Sequence, residues 1–180
     1  MKPHKTKDIP ALRVESPAFA MNGTIPTQFT GDGDDVAPPL AWTKPPNGTK
    51  SIAILVEDPD APDPAAPIRT FAHWILTGIA PTMTSLPGGN QQPEGVVVGT
   101  NDFGKRGWNG PKPPIGRHRY FFKVYALDIA LDSRGVRRDE LLRTMQGHIL
   151  AQGELIGTYA AAHQPRSSEQ AGERRPPSHR

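Results

Sequence analysis

Asp58, His73 and His118 are the side chains of this sequence best suited to proton or anion chemistry, and two of them adjoin backbone that cannot flex. Asp58 begins the segment Asp58-Pro59-Asp60-Ala61-Pro62, directly after the apolar run 52–56. His118 and Tyr120 follow the loop Gly107-Trp108-Asn109-Gly110-Pro111-Lys112-Pro113-Pro114-Ile115-Gly116. Proline fixes φ and glycine admits conformations closed to other residues, so together they shape a small polar hollow. Such a hollow suits a small anion better than any evident reaction. An ionised Asp58 favours the imidazolium form of a nearby histidine, and a protonated His73 or His118 presents N–H donors. Loop amides near Gly107 and Gly110 add neutral donors. On this reading no Arg or Lys is needed against the ligand. Affinity is modest, and binding strengthens as pH falls through the histidine range.

Each residue also has a plainer reading. His73, inside an apolar strand, matches a satisfied core histidine. Asp58 before Pro59 matches an Asx-turn, and Tyr120 matches strand packing. Gly107 and Gly110 match ordinary loop glycines. Two further chemistries stay open. Asp58 with a histidine is a conceivable acid–base or nucleophile-activating pair for a hydrolase, although no Ser sits in a nucleophile elbow and no Cys exists. Two His and one carboxylate is also a recognised metal-ligand set, although the sequence has no compact spacing such as H-x-x-x-H.

The elements that must bring these groups together are mostly strands. Weak strand character appears at 12–15, a continuous apolar run at 51–57, another at 71–76, a short β-branched one at 95–99, and the longest at 117–128. The 51–57 run reads as a strand buried on both faces. Alternation along 117–128 puts His118, Tyr120, Phe122, Val124 and Ala126 on one face, and Arg119, Phe121, Lys123, Tyr125 and Leu127 on the other. The same rule puts His73 with Phe71 and Ile75, and Asp58 just past the end of its strand. Asp58 and His118 then meet at the sheet rim, with His73 reaching inward beside them. A helix is predicted over 139–150 from Leu141, Leu142, Met145, Ile149 and Leu150, with Asp139 and Glu140 favoured at its N-terminus. A second helical turn is predicted at 153–156. Strands first and a helix late imply a β-rich domain with helices at one edge.

Bulk composition narrows the classes. A chain of 180 residues predicts one domain. Gly and Pro together number 39, about 22%, interspersed with apolar runs, which argues for many turns and short strands. Mean hydropathy is -0.52. Cysteine is absent, which excludes disulfides, thiolate nucleophiles and Cys-ligated zinc. No apolar run is long enough to span a membrane. The first residues have no apolar stretch behind their positive charge, so a cytoplasmic location is expected. Residues 1–8 carry a net +2 and residues 164–180 another +2, of a total of +3, so the body between them sums to -1. A nucleic-acid-binding domain carries its basic stripe on the fold, so none is expected here. The organisation predicted is a flexible N-terminus at 1–8, a domain over 9–163, and a disordered basic tail at 164–180.

Asp58-Pro59-Asp60-Ala61-Pro62, His73-Trp74, Gly110-Pro111-Lys112-Pro113-Pro114-Ile115-Gly116 and the run 118–128 resemble the phosphatidylethanolamine-binding protein family, in its bacterial Raf-kinase-inhibitor-like branch. Segments 38–42, 48–51 and 147–159 support the likeness, which covers most of the chain from about Ser16 to about Tyr159. The resemblance implies a central antiparallel sheet packed on a second sheet, with peripheral helices. It implies a cavity for phosphate, acetate or a phosphorylated head group, lined by Asp58, His73, His118 and Tyr120 and shaped by Pro62, Gly107, Gly110 and Pro114. It implies a cis peptide before Pro62. With no third partner beside an Asp–His pair, no catalytic residue is assigned, and no cofactor is expected. The resemblance also implies a protein partner such as a kinase, and a homodimer.

Overall fold

The computed structural model describes residues 9–160. The expectations for residues 1–8 and 164–180, and the last residues assigned to the domain, lie outside the described residues. In chain order the strands are β1 (Val14–Glu15), β2 (Leu40–Trp42), β3 (Ser51–Ala61), β4 (Arg69–Ile79), β5 (Ser85–Leu86), β6 (Val97–Val98), β7 (Arg117–Leu127) and β8 (Ile149–Ala160). A short 3-10 helix, Thr27–Phe29, precedes β2, and the helix α1 (Arg138–Met145) precedes β8. The strands form two antiparallel sheets, ordered β6-β4-β3-β7-β8 and β1-β2-β5.

β3 lies at the centre of the large sheet because its apolar run from Ile52 to Val56 favours burial on both faces, and Ser51 to Asp58 are all buried. Ile52, Ile54 and Val56 join a core shared with Val14, Leu40 and Trp42 of the small sheet. Ala53 and Leu55 belong to a second core, with Leu141 and Met145 of α1. Burying each of these large aliphatic side chains contributes about 1.5–3 kcal/mol. The small sheet and the helix therefore cover opposite faces of one layer. β7 alternates as its sequence predicts: His118, Tyr120, Phe122, Val124 and Ala126 are all buried.

Four local expectations need correction. Asp58 lies within β3, which runs on to Ala61 through an irregular pairing with β4 between Asp58 and Ala61. The predicted helix over 139–150 ends at Met145, and Gly147, at φ 81°, turns the chain back. From Ile149 the chain is strand, and the predicted helical turn at 153–156 lies inside β8. β8 pairs with β7 from Leu127↔Ile149 to Arg117↔Ala160. The helical spacing of Ile149 and Leu150 was a coincidence that this long pairing overrides.

The fourth correction concerns His73. Val56 pairs with Trp74 but Glu57 pairs with Ala72, so β4 holds one extra residue there, His73. A bulge of this kind breaks the period of two and redirects side chains. Ile75 stays in the helix-side core, while His73 lies 5.3 Å, ring to ring, from Tyr120.

Candidate ligand site

Asp58, Pro62, His73, Pro114, His118 and Tyr120, dispersed over 63 positions of sequence, line one cavity of about 390 Å³. β3 supplies Asp58, β4 supplies His73, and β7 supplies His118 and Tyr120. Because these three strands are adjacent, their ends at one rim of the sheet bring the four polar side chains together. The Ala61-Pro62 peptide is cis, as the resemblance implied.

His118 is closed on both ring nitrogens. Its Nδ1 lies 2.6 Å from Asp58 Oδ2, and its Nε2 lies 2.8 Å from the Ile115 carbonyl oxygen. That carbonyl only accepts, so Nε2 donates to it. Nδ1 and the carboxylate then hold one further proton between them, and the pair carries no net charge wherever that proton sits. The other Asp58 oxygen accepts from the Asp60 amide at 2.7 Å, so the Asx-turn reading of Asp58 holds alongside the site reading. His118 is therefore not a donor to a ligand, contrary to expectation. It anchors the cavity wall and stacks on Tyr120, 6.4 Å away at 20°.

His73 is held the other way round. Its Nδ1 donates to the Asn109 carbonyl oxygen at 2.7 Å. Burial pushes its pKa below the ordinary histidine value, against the opposing pull of that bond and of Asp58, Asp102 and Asp35. The neutral ring then leaves a lone pair on Nε2. Tyr120 is almost wholly buried, and burial raises its phenol well above the usual range, so its O–H stays a donor. Phe71, Phe103 and Tyr120 enclose the imidazole, with ring centroids 5.1, 5.6 and 5.3 Å away.

Gly107 and Gly110 do not line this cavity. Gly107 borders a neighbouring hollow with Trp74 and Trp108, and its carbonyl accepts from Asn101. The Gly110 amide donates to Asp35 Oδ1 at 2.7 Å, so it offers nothing to a ligand. Gly110 is glycine because a Cβ there would strike the Phe29 carbonyl and the Asp35 carboxylate. The three-residue metal reading also lacks support: among the described residues no cluster of three such side chains is placed to hold an ion, and both His118 nitrogens are engaged.

Sequence reasoning missed the mouth. Arg69 and Lys112 stand on the lining with Ile68, Phe71 and Phe103. Arg69 lies over the Phe71 ring, 4.5 Å from its centroid. Ile68 is 81% exposed and Phe103 51%, among the few large apolar side chains left in water. Asn101, fully buried, pins the loop behind Phe103: its Nδ2 donates to Gly107 O and Asn109 Oδ1, and its Oδ1 accepts from the Phe103 and Lys105 amides. Asn101-Asp102-Phe103-Gly104 is a turn signature that could have drawn attention to this loop.

Known proteins share this architecture. A family model described as phosphatidylethanolamine-binding protein matches residues 15–160. A UPF0098 protein of Methanothermobacter thermautotrophicus is 40% identical over 153 residues, covering 82% of this chain and 98% of that one. The crystal structure of CT736 from Chlamydia trachomatis, described as a homolog of that family, superposes with a TM-score of 0.77 at 38% identity, covering 83% of this chain and 97% of that one. YbcL of E. coli gives 0.74 at 31% identity, covering 82% and 97%. Among the described residues no helix is long and apolar enough to cross a membrane.

Proposed function

This chain belongs to the phosphatidylethanolamine-binding protein family, and on that footing we propose that it is a binding protein whose cavity takes a small oxyanionic group, a phosphate ester or a carboxylate, carried on a larger and partly apolar molecule. One arrangement carries the reading. The deep end offers hydrogen-bonding groups from Tyr120 and His73, while the mouth combines the cations Arg69 and Lys112 with exposed Ile68 and Phe103. Few polar groups in a mostly apolar concavity is the usual make-up of a small-molecule site. The cations attract the charge, the phenol orients it, and the apolar rim accepts what the charged group is attached to. A phosphorylated head group on a lipid, or a phosphorylated side chain of a partner protein, presents that combination.

The Asp58–His118 pair is not placed to act as the general base of a hydrolase. A general base needs a free lone pair within reach of a nucleophile. His118 has none, because Ile115 and Asp58 engage both nitrogens. The test is a titration of the protein with methyl phosphate and acetate, followed by backbone amide NMR. Shifts confined to residues around Tyr120, His73 and Arg69, and abolished in Tyr120→Phe, are expected. Shifts scattered over the surface, or unchanged by that substitution, would contradict the reading.

A further inference from the structure

We propose that the cavity selects an oxyanion that still carries one proton, such as a phosphomonoester monoanion, over oxyanions that carry none. The inference rests on the binding reading above and concerns what the deep end demands of its ligand.

The Asn109 carbonyl can only accept, so the proton of neutral His73 is on Nδ1 and its lone pair is on Nε2. Trp74 Nε1 is the one buried side-chain donor or acceptor without a partner among the described residues, so His73 Nε2 is not sealed off. It has no protein partner among those residues, and the cavity that His73 lines is where it opens. Tyr120 O–H is in the same position, unpartnered and facing the same space. The deep end thus holds one donor and one acceptor.

Nothing there supplies a full positive charge. The groups facing His73 come from every side: Asp58 on β3, Tyr120 on β7, Asp102 and Asn109 in the loop between β6 and β7, and Asp35 in the loop after the 3-10 helix. Asp102 accepts from the Ala72 amide, Asp35 from the Gly110 amide, and Asp58 is paired with His118. The cations, Arg69 and Lys112, are exposed side chains at the mouth. An oxyanion with no proton must set its own lone pairs against that of Nε2. A P–O–H group donates to Nε2 while a second oxygen accepts from Tyr120. A buried acceptor left unpaired is costly, which is how a site built around a ligand hydroxyl rejects an analogue lacking it.

Methyl phosphate and methyl sulfate make the comparison, measured by isothermal titration calorimetry on the full chain. Below the second pKa of a phosphomonoester, about 6, both are monoanions of nearly the same shape and differ by the one proton. Methyl phosphate is expected to bind at least about tenfold more tightly there, about 1.4 kcal/mol, and to weaken as pH rises through that pKa. In His73→Phe the two ligands should bind alike. His73→Gln, whose amide offers a donor as well as an acceptor, should narrow the ratio if the Phe variant does not fold. Equal affinities in the unmodified protein overturn this inference alone. Failure of both ligands to bind overturns it together with the binding reading.

Discussion

His118 and Asp58, sixty positions apart in the chain, meet at 2.6 Å with both side chains buried. The contact closes the cavity wall, and it makes a controlled substitution available. Asn at 58 can still accept from the Asp60 amide through Oδ1 while its NH₂ donates to Nδ1 of a neutral His118. Ala leaves the ring and the amide unpaired. Asp58→Asn is expected to cost about 1 kcal/mol, and Asp58→Ala about 3–5 kcal/mol, the range for breaking a buried pair. Urea denaturation of the two variants checks the gap; equal losses would mean the carboxylate charge, not the hydrogen bonds, dominates.

His73 should appear as the Nδ1–H tautomer in imidazole nitrogen NMR, and should stay neutral to below the ordinary histidine range. The sign of its effect on stability follows. The unfolded chain binds a proton at about pH 6.5 while the folded ring resists it, so stability falls as pH drops through that value. The loss levels off once the folded pKa is passed. A stability curve measured in His73→Phe should lack this component.

Asp60 accepts from Arg119 at both carboxylate oxygens and from the Arg119 amide. The guanidinium bond holds its carboxyl below the usual aspartate value. Its stabilising contribution is therefore complete above the unfolded-state pKa, near 4, and is lost as pH falls through the lower folded value. In Arg119→Met the desolvated carboxylate loses its partner and takes up a proton sooner. The acid-unfolding midpoint, followed by circular dichroism, should move to higher pH; a midpoint that stays put would show the pair to be inert.

Gly110→Ala should cost about 3 kcal/mol, as overpacking against rigid backbone does. The added methyl meets the Phe29 carbonyl and displaces Asp35 from the Gly110 amide. Gly107→Ala meets no atom within 4 Å, so any cost there reflects only its φ of 122°. Thermal melts of the two variants separate close packing from backbone conformation, with the larger drop expected at 110.

Much of the fold is legible in the sequence. β3 is a continuous apolar run of strand length, and β7 alternates from Arg117 to Val124 before both faces are buried through Leu127, so both announce themselves and the faces of β7 follow from counting. β8 does not. Gly153 and Gly157 occupy the inward positions between Ala151, Leu155 and Tyr159, so the alternation carries no apolar signal at those points. Ile149 and Leu150 meanwhile complete a helical pattern begun by Leu141 and Met145. Local pattern cannot weigh that coincidence against eleven paired positions along β7.

For the site, the proline-glycine context singled out Asp58 and His118, and strand alternation placed Tyr120 beside His118, because a strand end beside stiff backbone is a local property; Pro62 and Pro114 came from the family resemblance, as did Gly107 and Gly110, which do not line the cavity. What each group does there is not local. The bulge at His73 decides which face it takes, and a bulge is a mismatch between two strands, visible only once both are paired. Whether a histidine donates or accepts depends on which carbonyls reach it: Ile115 and Asp58 use up both nitrogens of His118, while Asn109 takes one of His73 and leaves the other open. Arg69, Lys112, Ile68 and Phe103 became mouth residues only when two loops, β3–β4 and β6–β7, and three strand ends were folded around the same space. The sequence alone determined which chemical groups were available and where the chain would be rigid; tertiary structure decided their protonation and their partners, because hydrogen-bond complementarity is set by atoms that arrive from elsewhere in the chain.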